Sequence, residues 1–251
     1  MRSKKKIKII LILIAGCITL LAGLIYFRSV IPEKKAAVGW KEDFSVTSGK
    51  RSLPKGWKLR KKPMTKAAVF SVRRDAKEDT SFLHMEAGKA SATLITKVDG
   101  VDIAKTPFLR WRWRVTTLPK NADGRLKSKD DQAIGLYVGS GSAAANKSVS
   151  YRWDTETPRQ AEGNCAYGLG KVKVRWITLR NKEDKTGRWF TEERNVAEDF
   201  KKAWGFYPKA VYVSVSCNSQ YTRSQAAADL AWIEFTSVPI VKKVTSTGAL
   251  R

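Results

Sequence analysis

The chain has 251 residues, with 48 lysines and arginines against 23 acidic residues and a formal net charge of +25. Its single histidine, His84, lies in the strand-like segment SFLHMEA, where we expect a structural role, so histidine-dependent triads and histidine-rich metal centres are excluded. The sequence also has no Walker loop, GxSxG motif or CxxC pair. The spacing of Cys165 and Cys217 is compatible with a disulfide or with two free thiols.

The N-terminus combines a basic head with an apolar run. Residues 1–8 carry five basic side chains, and the 19 residues 9–27 would span about 28 Å as a helix, close to the hydrocarbon thickness of a bilayer. The basic head predicts a cytoplasmic N-terminus and an exported remainder. The segment IAGC, ending at Cys17, resembles a bacterial lipobox, but the apolar sequence after Cys17 favours an uncleaved anchor. Both alternatives predict a membrane-tethered exported domain, and the anchor predicts a single-pass inner-membrane protein with a periplasmic domain.

The chain divides into five predicted parts. A cytoplasmic head, a transmembrane anchor, a linker, a folded domain and a C-terminal tail are expected at residues 1–8, 9–27, 28–39, 40–236 and 237–251. Beyond residue 35 there are 40 basic against 22 acidic residues, a net charge of about +18. Such a domain attracts polyanions, which outside the cytoplasm are phosphorylated lipids, acidic glycans or anionic wall polymers, and nucleic acid is not an expected partner. Solubility or a generally basic proteome would also explain the charge.

Strand-like segments fill the folded domain. They alternate apolar with polar residues or are rich in β-branched and aromatic residues, at 67–74, 90–98, 108–116, 132–139, 148–153, 171–179, 210–216 and 230–235. Many strands with little helix predict an all-β fold of two packed antiparallel sheets. One short helix is predicted after Asn195, which can cap it together with Glu198, and Gly205 is placed to end it.

Two strands place basic residues along one face. In LRWRWRV, period-two geometry separates a face with Trp111 and Trp113, which we expect in the core, from a face of three arginines. A second strand repeats the pattern with two lysines and an arginine. The candidate ligand-binding residues are Arg110, Arg112 and Arg114, named here the arginine row, and Lys171, Lys173 and Arg175. Like charges on neighbouring strands destabilise a sheet, so these rows need carboxylate partners or an anionic ligand.

Two pairs of adjacent acids are candidates for metal binding or catalysis. Asp130 and Asp131 precede a strand, where they serve a turn or a hard cation such as calcium, and we expect no other cofactor. Together with Glu192 and Glu193 they also supply carboxylates for glycoside cleavage. Adjacent residues of a strand point to opposite faces, so a catalytic pair would need one residue from each pair.

The segments TPFLRWRWRVTTLPKNAD, KSKDDQAIGLYV, SYRW and GRWFTEERNVAEDFKKAWGFYP occur in this order between residues 106 and 208. They resemble a bacterial envelope family known as domain of unknown function 3047, over about residues 40 to 236. The resemblance implies a jelly-roll sandwich of the carbohydrate-binding type in an exported protein, and it implies no activity. The family usually carries an Asp, Thr and Asn-rich turn after the penultimate strand, whereas residues 216–220 here, SCNSQ, include no carboxylate.

These patterns predict noncovalent binding of an envelope glycan or other polyanion, with the arginine row as the polar face of a groove. A carboxylate-dependent glycan-cleaving enzyme and a structural envelope protein that binds a protein partner are the alternatives. Two carboxylates about 5 to 10 Å apart in a pocket would favour cleavage, and an open groove with exposed aromatic residues would favour binding.

The anchor makes a prediction about topology. A reporter that is active only in the periplasm, fused after residue 251, should be active, because the basic head holds the N-terminus in the cytoplasm. Cys17→Ser should leave the mass of the membrane-bound protein unchanged if the run is an uncleaved helix, whereas a lipoprotein would lose its processing. Reporter activity confined to the cytoplasm would contradict the anchor.

Overall fold

Thirteen strands and one α-helix form the part of the chain that the computed structural model describes, residues 37–45, 53–141, 145–209 and 211–240. In chain order they are β1 (Val38–Glu42), β2 (Lys58–Lys61), β3 (Val69–Asp75), β4 (Thr80–Gly88), β5 (Ser91–Val98), β6 (Phe108–Thr117), β7 (Ile134–Gly141), β8 (Asn146–Trp153), β9 (Glu162–Tyr167), β10 (Val172–Arg180), β11 (Phe190–Asn195), α1 (Val196–Trp204), β12 (Val211–Asn218) and β13 (Gln225–Thr236). The predicted head and anchor, residues 1–27, lie outside the described ranges. Within those ranges no helix is both long and apolar enough to cross a membrane.

The strands form two sheets. The first has the order β11-β6-β13-β4-β3, and β1 also pairs with β13. The second has the order β2-β5-β12-β7-β8-β10-β9. The predicted all-β two-sheet sandwich is therefore confirmed, with one departure from antiparallel pairing: β8 and β10 run parallel. The cause is β9, which pairs antiparallel with β10 at the sheet edge and reverses the chain between β8 and β10.

Aromatic residues from both sheets meet in the core. Trp111 of β6 stacks on Tyr151 of β8 with ring centroids 5.1 Å apart, and Trp113 lies 5.9 Å from Trp153. All four side chains are fully buried. The prediction that the tryptophan face of β6 is core is confirmed, because period-two alternation places those rings toward the second sheet.

The arginine row lies on the opposite face of β6, outside the sandwich, and each member has a carboxylate partner. Arg110 Nε donates to Glu193 Oε2 at 2.7 Å, Arg112 Nη2 donates to Glu78 Oε1 at 2.9 Å, and Arg114 Nε donates to Asp229 Oδ2 at 2.6 Å. The protein's own acidic side chains thus separate the like charges that the sequence places side by side. The binding role of the row stays a prediction, and the groove described below is on the other sheet.

The predicted helix is confirmed together with both of its caps. The Asn195 side chain accepts a hydrogen bond from the Glu198 N–H at 3.1 Å, and Gly205 ends the helix with φ at +83° and an N–H bond to the Lys201 carbonyl. Val196 and Phe200 are buried against the sandwich. The apolar face of the helix therefore seats it beside β8, the strand with which it makes most contact.

Candidate functional site

Along its two central strands, β12 and β7, the outer face of the second sheet carries polar and aromatic side chains. In β12, VYVSVSCN, the valines point into the core while Tyr212, Ser214 and Ser216 point outward. In the neighbouring β7, IGLYVGSG, Ile134 and Leu136 are core residues and the outward positions are glycine, tyrosine and glycine. The outer face is therefore built from small hydroxyl residues and tyrosine rings.

Glycines let these tyrosine rings lie down on the sheet. Gly139 is the cross-strand partner of Tyr212, and a Cβ atom built on Gly139 would overlap the Tyr212 ring. A Cβ atom on Gly135 would come within 2.8 Å of Cε2 of Tyr137. Any larger residue at Gly135 or Gly139 would displace the tyrosine ring above it. The two glycines of the pattern G-x-Y-x-G in β7 therefore let both rings lie flat on the sheet.

A groove of about 620 Å³ runs over this face. Its tyrosines are Tyr137, Tyr167, Tyr212 and Tyr221, and its small polar side chains include Ser148, Ser214, Ser216 and Asn218. Arg60, Lys61 and Lys62 lie along its rim. The segment 216–220, which lacks the carboxylate usual in the family, contributes three residues to the lining. The size and the mixture of apolar surface with a few placed polar groups are those of a ligand site.

Tyr137 is oriented by its neighbours to act as a hydrogen-bond donor. Its hydroxyl oxygen accepts a hydrogen bond from Gln132 Nε2 at 2.9 Å and one from Ser216 Oγ at 3.3 Å. Burial raises the pKa of Tyr137, so the hydroxyl keeps its proton. Because the hydroxyl oxygen already accepts two hydrogen bonds, its proton can be donated to an acceptor in the groove.

A buried ion pair forms one side of the groove. Arg152 is fully buried, and its Nη1 donates to Asp130 Oδ1 at 2.7 Å, while the Tyr167 hydroxyl donates to Asp130 Oδ2 at 2.8 Å. The Trp176 ring lies 5.4 Å from the guanidinium carbon, and Gly163 makes room for that ring. Burial raises the pKa of Tyr167, which keeps its hydroxyl a donor to Asp130.

Four buried polar atoms beside this ion pair have no hydrogen-bond partner within the described residues. They are Gln132 Oε1, Ser150 Oγ, Arg152 Nε and Asp154 Oδ1. Strand register places them together, because Ser150 is the partner of Tyr137 and Arg152 is the partner of Gly135. Buried polar groups need partners, so we expect ordered water beside these atoms, and none of the four residues is among those that line the groove.

The other predicted residues are distributed around the sandwich. Asp131 points away from Asp130 and accepts hydrogen bonds from the Thr222 N–H at 2.7 Å and the Thr222 hydroxyl at 2.9 Å. Arg175 pairs with Glu162 at 2.8 Å. Cys165 and Cys217 are free thiols. No cluster of three or more His, Cys, Asp or Glu side chains suited to a metal occurs in the described residues. Calcium binding by Asp130 or Asp131 stays a prediction.

Sequence reasoning missed the groove tyrosines. The patterns at 132–139 and 210–216 predict strands, and the candidate ligand-binding residues are all charged. The signal was present in the glycines that flank Tyr137 and in the alternating tyrosine and serine of β12. Neither pattern is informative until the register places Gly139 beside Tyr212.

Asp154, which lies beside the buried ion pair, makes the stability of the folded domain depend on pH. Burial raises the pKa of its carboxyl to about 6, although the Arg152 guanidinium opposes that rise. The unfolded carboxyl titrates near 3.9, so the folded state holds its proton over a higher range of pH. The cost of burying the charged carboxylate therefore appears as the pH rises from about 4 to about 6, and it persists above that range.

We expect the stability of the wild type relative to Asp154→Asn to fall by about 2 to 3 kcal/mol across that window. The measurement is the free energy of urea unfolding of both full-length proteins in detergent, between pH 4 and pH 8. A difference between the two proteins that does not change with pH would contradict the assignment.

Three solved structures resemble the sandwich at low sequence identity: two xyloglucanases and one mannan-recognising carbohydrate-binding module. The xyloglucanase domain of NopAA from Sinorhizobium fredii aligns over 72% of this chain and 94% of its own, at 8% identity and a TM-score of 0.43. A family 12 xyloglucanase from Bacillus licheniformis aligns over 80% and 99%, at 7% identity and 0.42. The mannan-recognising carbohydrate-binding module TmCBM27 aligns over 82% and 99%, at 11% identity and 0.32. A search of the curated proteins found no match.

The family comparison covers most of the sandwich. A family model described as a protein of unknown function, DUF3047, matches residues 55–234, from just before β2 into β13. The match includes the RWRWRV strand, the acidic pair at Asp130 and the EERNVAEDF entry to α1, the segments on which the resemblance rested. The chain therefore belongs to the DUF3047 family.

Proposed function

We propose that this domain binds a glycan chain noncovalently in the groove on the outer face of the second sheet. The observation that carries the proposal is the pair of tyrosine rings, Tyr212 and Tyr137, held against the sheet by Gly139 and Gly135. A ring held in this way presents an apolar face, against which the C–H bonds of a sugar ring pack. Two such rings on neighbouring strands suit consecutive sugars of one chain.

The polar groups around the rings complement sugar hydroxyls. The Tyr137 hydroxyl has a proton to donate, and Ser214, Ser216 and Asn218 supply further donors and acceptors along β12. A sugar hydroxyl both donates and accepts, so it can satisfy either kind of group. This mixture supports a carbohydrate better than a purely apolar ligand.

The acids of the groove favour noncovalent binding over glycan cleavage. Cleavage by two carboxylates needs a pair about 5 to 10 Å apart that both face the substrate. Asp130 is the single carboxylate among the described lining residues, and Arg152 and Tyr167 hold both of its oxygens. Asp154 is fully buried behind the groove wall.

The location of this activity is proposed from the sequence. The apolar run 9–27 and the basic residues before it support a single-pass anchor in the inner membrane, with residues 40–236 as the exported domain. A groove on a periplasmic domain would meet the glycans of the cell envelope. We therefore propose an envelope glycan as its ligand.

Tyr212 provides the direct test. In full-length protein purified in neutral detergent, Tyr212→Ala should weaken binding to a soluble neutral polysaccharide about tenfold, equivalent to about 1.4 kcal/mol, with hydroxyethyl cellulose and mannan as the probes. Gly139→Ala should have a similar effect with the tyrosine retained, because the new methyl group displaces the ring. The measurement is retardation in affinity electrophoresis.

Tyr207→Ala is the matched control, since Tyr207 is an exposed tyrosine near the end of α1 and outside the groove. It should leave binding unchanged. Equal retardation of the wild type, Tyr212→Ala and Gly139→Ala would show that the groove rings are not used.

A further inference from the structure

A second concavity, of about 570 Å³, lies where β10 begins. Its lining includes Lys147, Lys171 and Lys173 together with Leu169 and Phe206, and we name it the lysine pocket. Two of the three lysines are residues that the sequence predicted to bind a ligand, and the third comes from the neighbouring strand β8. The pocket is separate from the groove, and the proposed function does not use it.

The lysine pocket holds like charges in direct register. Lys147 and Lys173 are partners in the parallel pair of β8 and β10, which places their backbones about 4.8 Å apart. The carbonyl of Lys171 accepts a hydrogen bond from the Asn146 N–H at 3.0 Å, which fixes the third lysine beside them. Three ammonium groups on neighbouring backbone positions repel one another, and an anion bound between them would relieve that repulsion.

Within the described residues no carboxylate forms an ion pair with any of these three lysines. Some other basic residues of the domain are compensated: Arg175, two residues along the same strand, pairs with Glu162, and every member of the arginine row has an acidic partner. Others, such as Lys55 and Lys77, also have no ion pair within the described residues. What distinguishes the pocket is that three such lysines meet at one concavity beside aromatic rings.

Aromatic rings complete one wall of the pocket. The Lys147 ammonium lies 5.2 Å from the centroid of Phe206 and 5.6 Å from that of Trp204. These contacts hold the ammonium at the pocket wall. Phe206 is 40% exposed, so its ring also offers an apolar surface to a ligand. A cation beside an exposed ring suits an acidic sugar, which has both an anionic group and an apolar ring face.

The turn between β9 and β10 is shared by the two cavities. Tyr167 and Gly168 line the groove, whereas Leu169, Gly170 and Lys171 line the lysine pocket. The groove residues Val172 and Val174 alternate along β10 with the pocket residues Lys171 and Lys173, so the two cavities lie on opposite faces of the sheet. A polymer that lies in the groove reaches the pocket by passing around this turn. We propose that the ligand is an acidic glycan, whose carboxylate groups bind Lys147, Lys171 and Lys173 while its neutral sugar faces lie on the tyrosines. This inference rests on the proposed function and specifies its substrate class.

The test compares an acidic with a neutral polymer. Full-length protein in neutral detergent is run through gels that contain polygalacturonate or mannan. The wild type should bind polygalacturonate at least tenfold more tightly than mannan, and about 0.5 M salt should remove the difference, since salt screens the lysine charges. The triple variant Lys147→Gln, Lys171→Gln, Lys173→Gln should lose that advantage and keep its binding to mannan.

The matched control changes the same number of charges elsewhere. Lys55, Lys77 and Lys185 are exposed and lie outside both cavities, and their change to Gln should lower polygalacturonate binding less than threefold. Equal losses from the two triple variants would overturn the inference in favour of a diffuse charge effect. Stronger competition by short-chain phosphatidylglycerol than by galacturonate oligomers would overturn it in favour of a lipid headgroup.

The two proposals fail in distinguishable ways. If Tyr212→Ala alters neither polymer while the lysine triple still removes polygalacturonate binding, the groove proposal is wrong and the lysines form an independent anion site. That result also overturns the proposal that one acidic glycan chain occupies both the groove and the lysine pocket. If Tyr212→Ala weakens both polymers and the lysine triple changes neither, the groove stands and the lysine pocket is not part of the site.

Discussion

The pairing of Arg152 with Asp130 is the interaction on which the groove depends. A guanidinium without access to solvent is costly unless its charge is paired and its donors are satisfied. Here the partner comes from the loop before β7, the aromatic cover comes from Trp176 of β10, and Tyr167 of β9 holds the second oxygen of Asp130. One buried charge thus joins the segments that form one side of the groove, and it keeps polar atoms at a surface that apolar packing would otherwise fill.

The two sheets use charge in opposite ways. On the first sheet, acids from other strands neutralise the arginine row, and Asp229 serves both Arg114 and His84, accepting from His84 Nδ1 at 2.6 Å. Burial lowers the pKa of His84, but its hydrogen bonds to Asp229 and Glu86 raise it more, so the net shift is upward. Among the described residues of the second sheet, Asp130 is the single carboxylate that lines the groove, and the lysines of the lysine pocket form no ion pair. The first arrangement stabilises a surface, and the second leaves charge available for a ligand.

Local patterns in the sequence were enough to predict the sandwich, the buried face of β6 and the caps of α1, because each depends on residues a few positions apart. The site depends on residues that the fold brings together. Tyr212 meets Gly139 across 73 residues of chain, and Lys147 meets Lys173 through a parallel pair that strand patterns alone do not reveal. The arginine row was the most visible motif, yet two of its partners, Glu78 and Asp229, come from segments that no local pattern places beside it.

We propose that the ligand binds on the second sheet, over the tyrosines. A crystal structure of the protein with a mixed neutral and acidic oligosaccharide would show where the ligand lies. We expect sugar rings against the faces of Tyr212 and Tyr137, with an acidic substituent within hydrogen-bond distance of the lysines at the start of β10. Sugar bound instead along the arginine row of the first sheet, with the groove of the second sheet unchanged, would contradict the account.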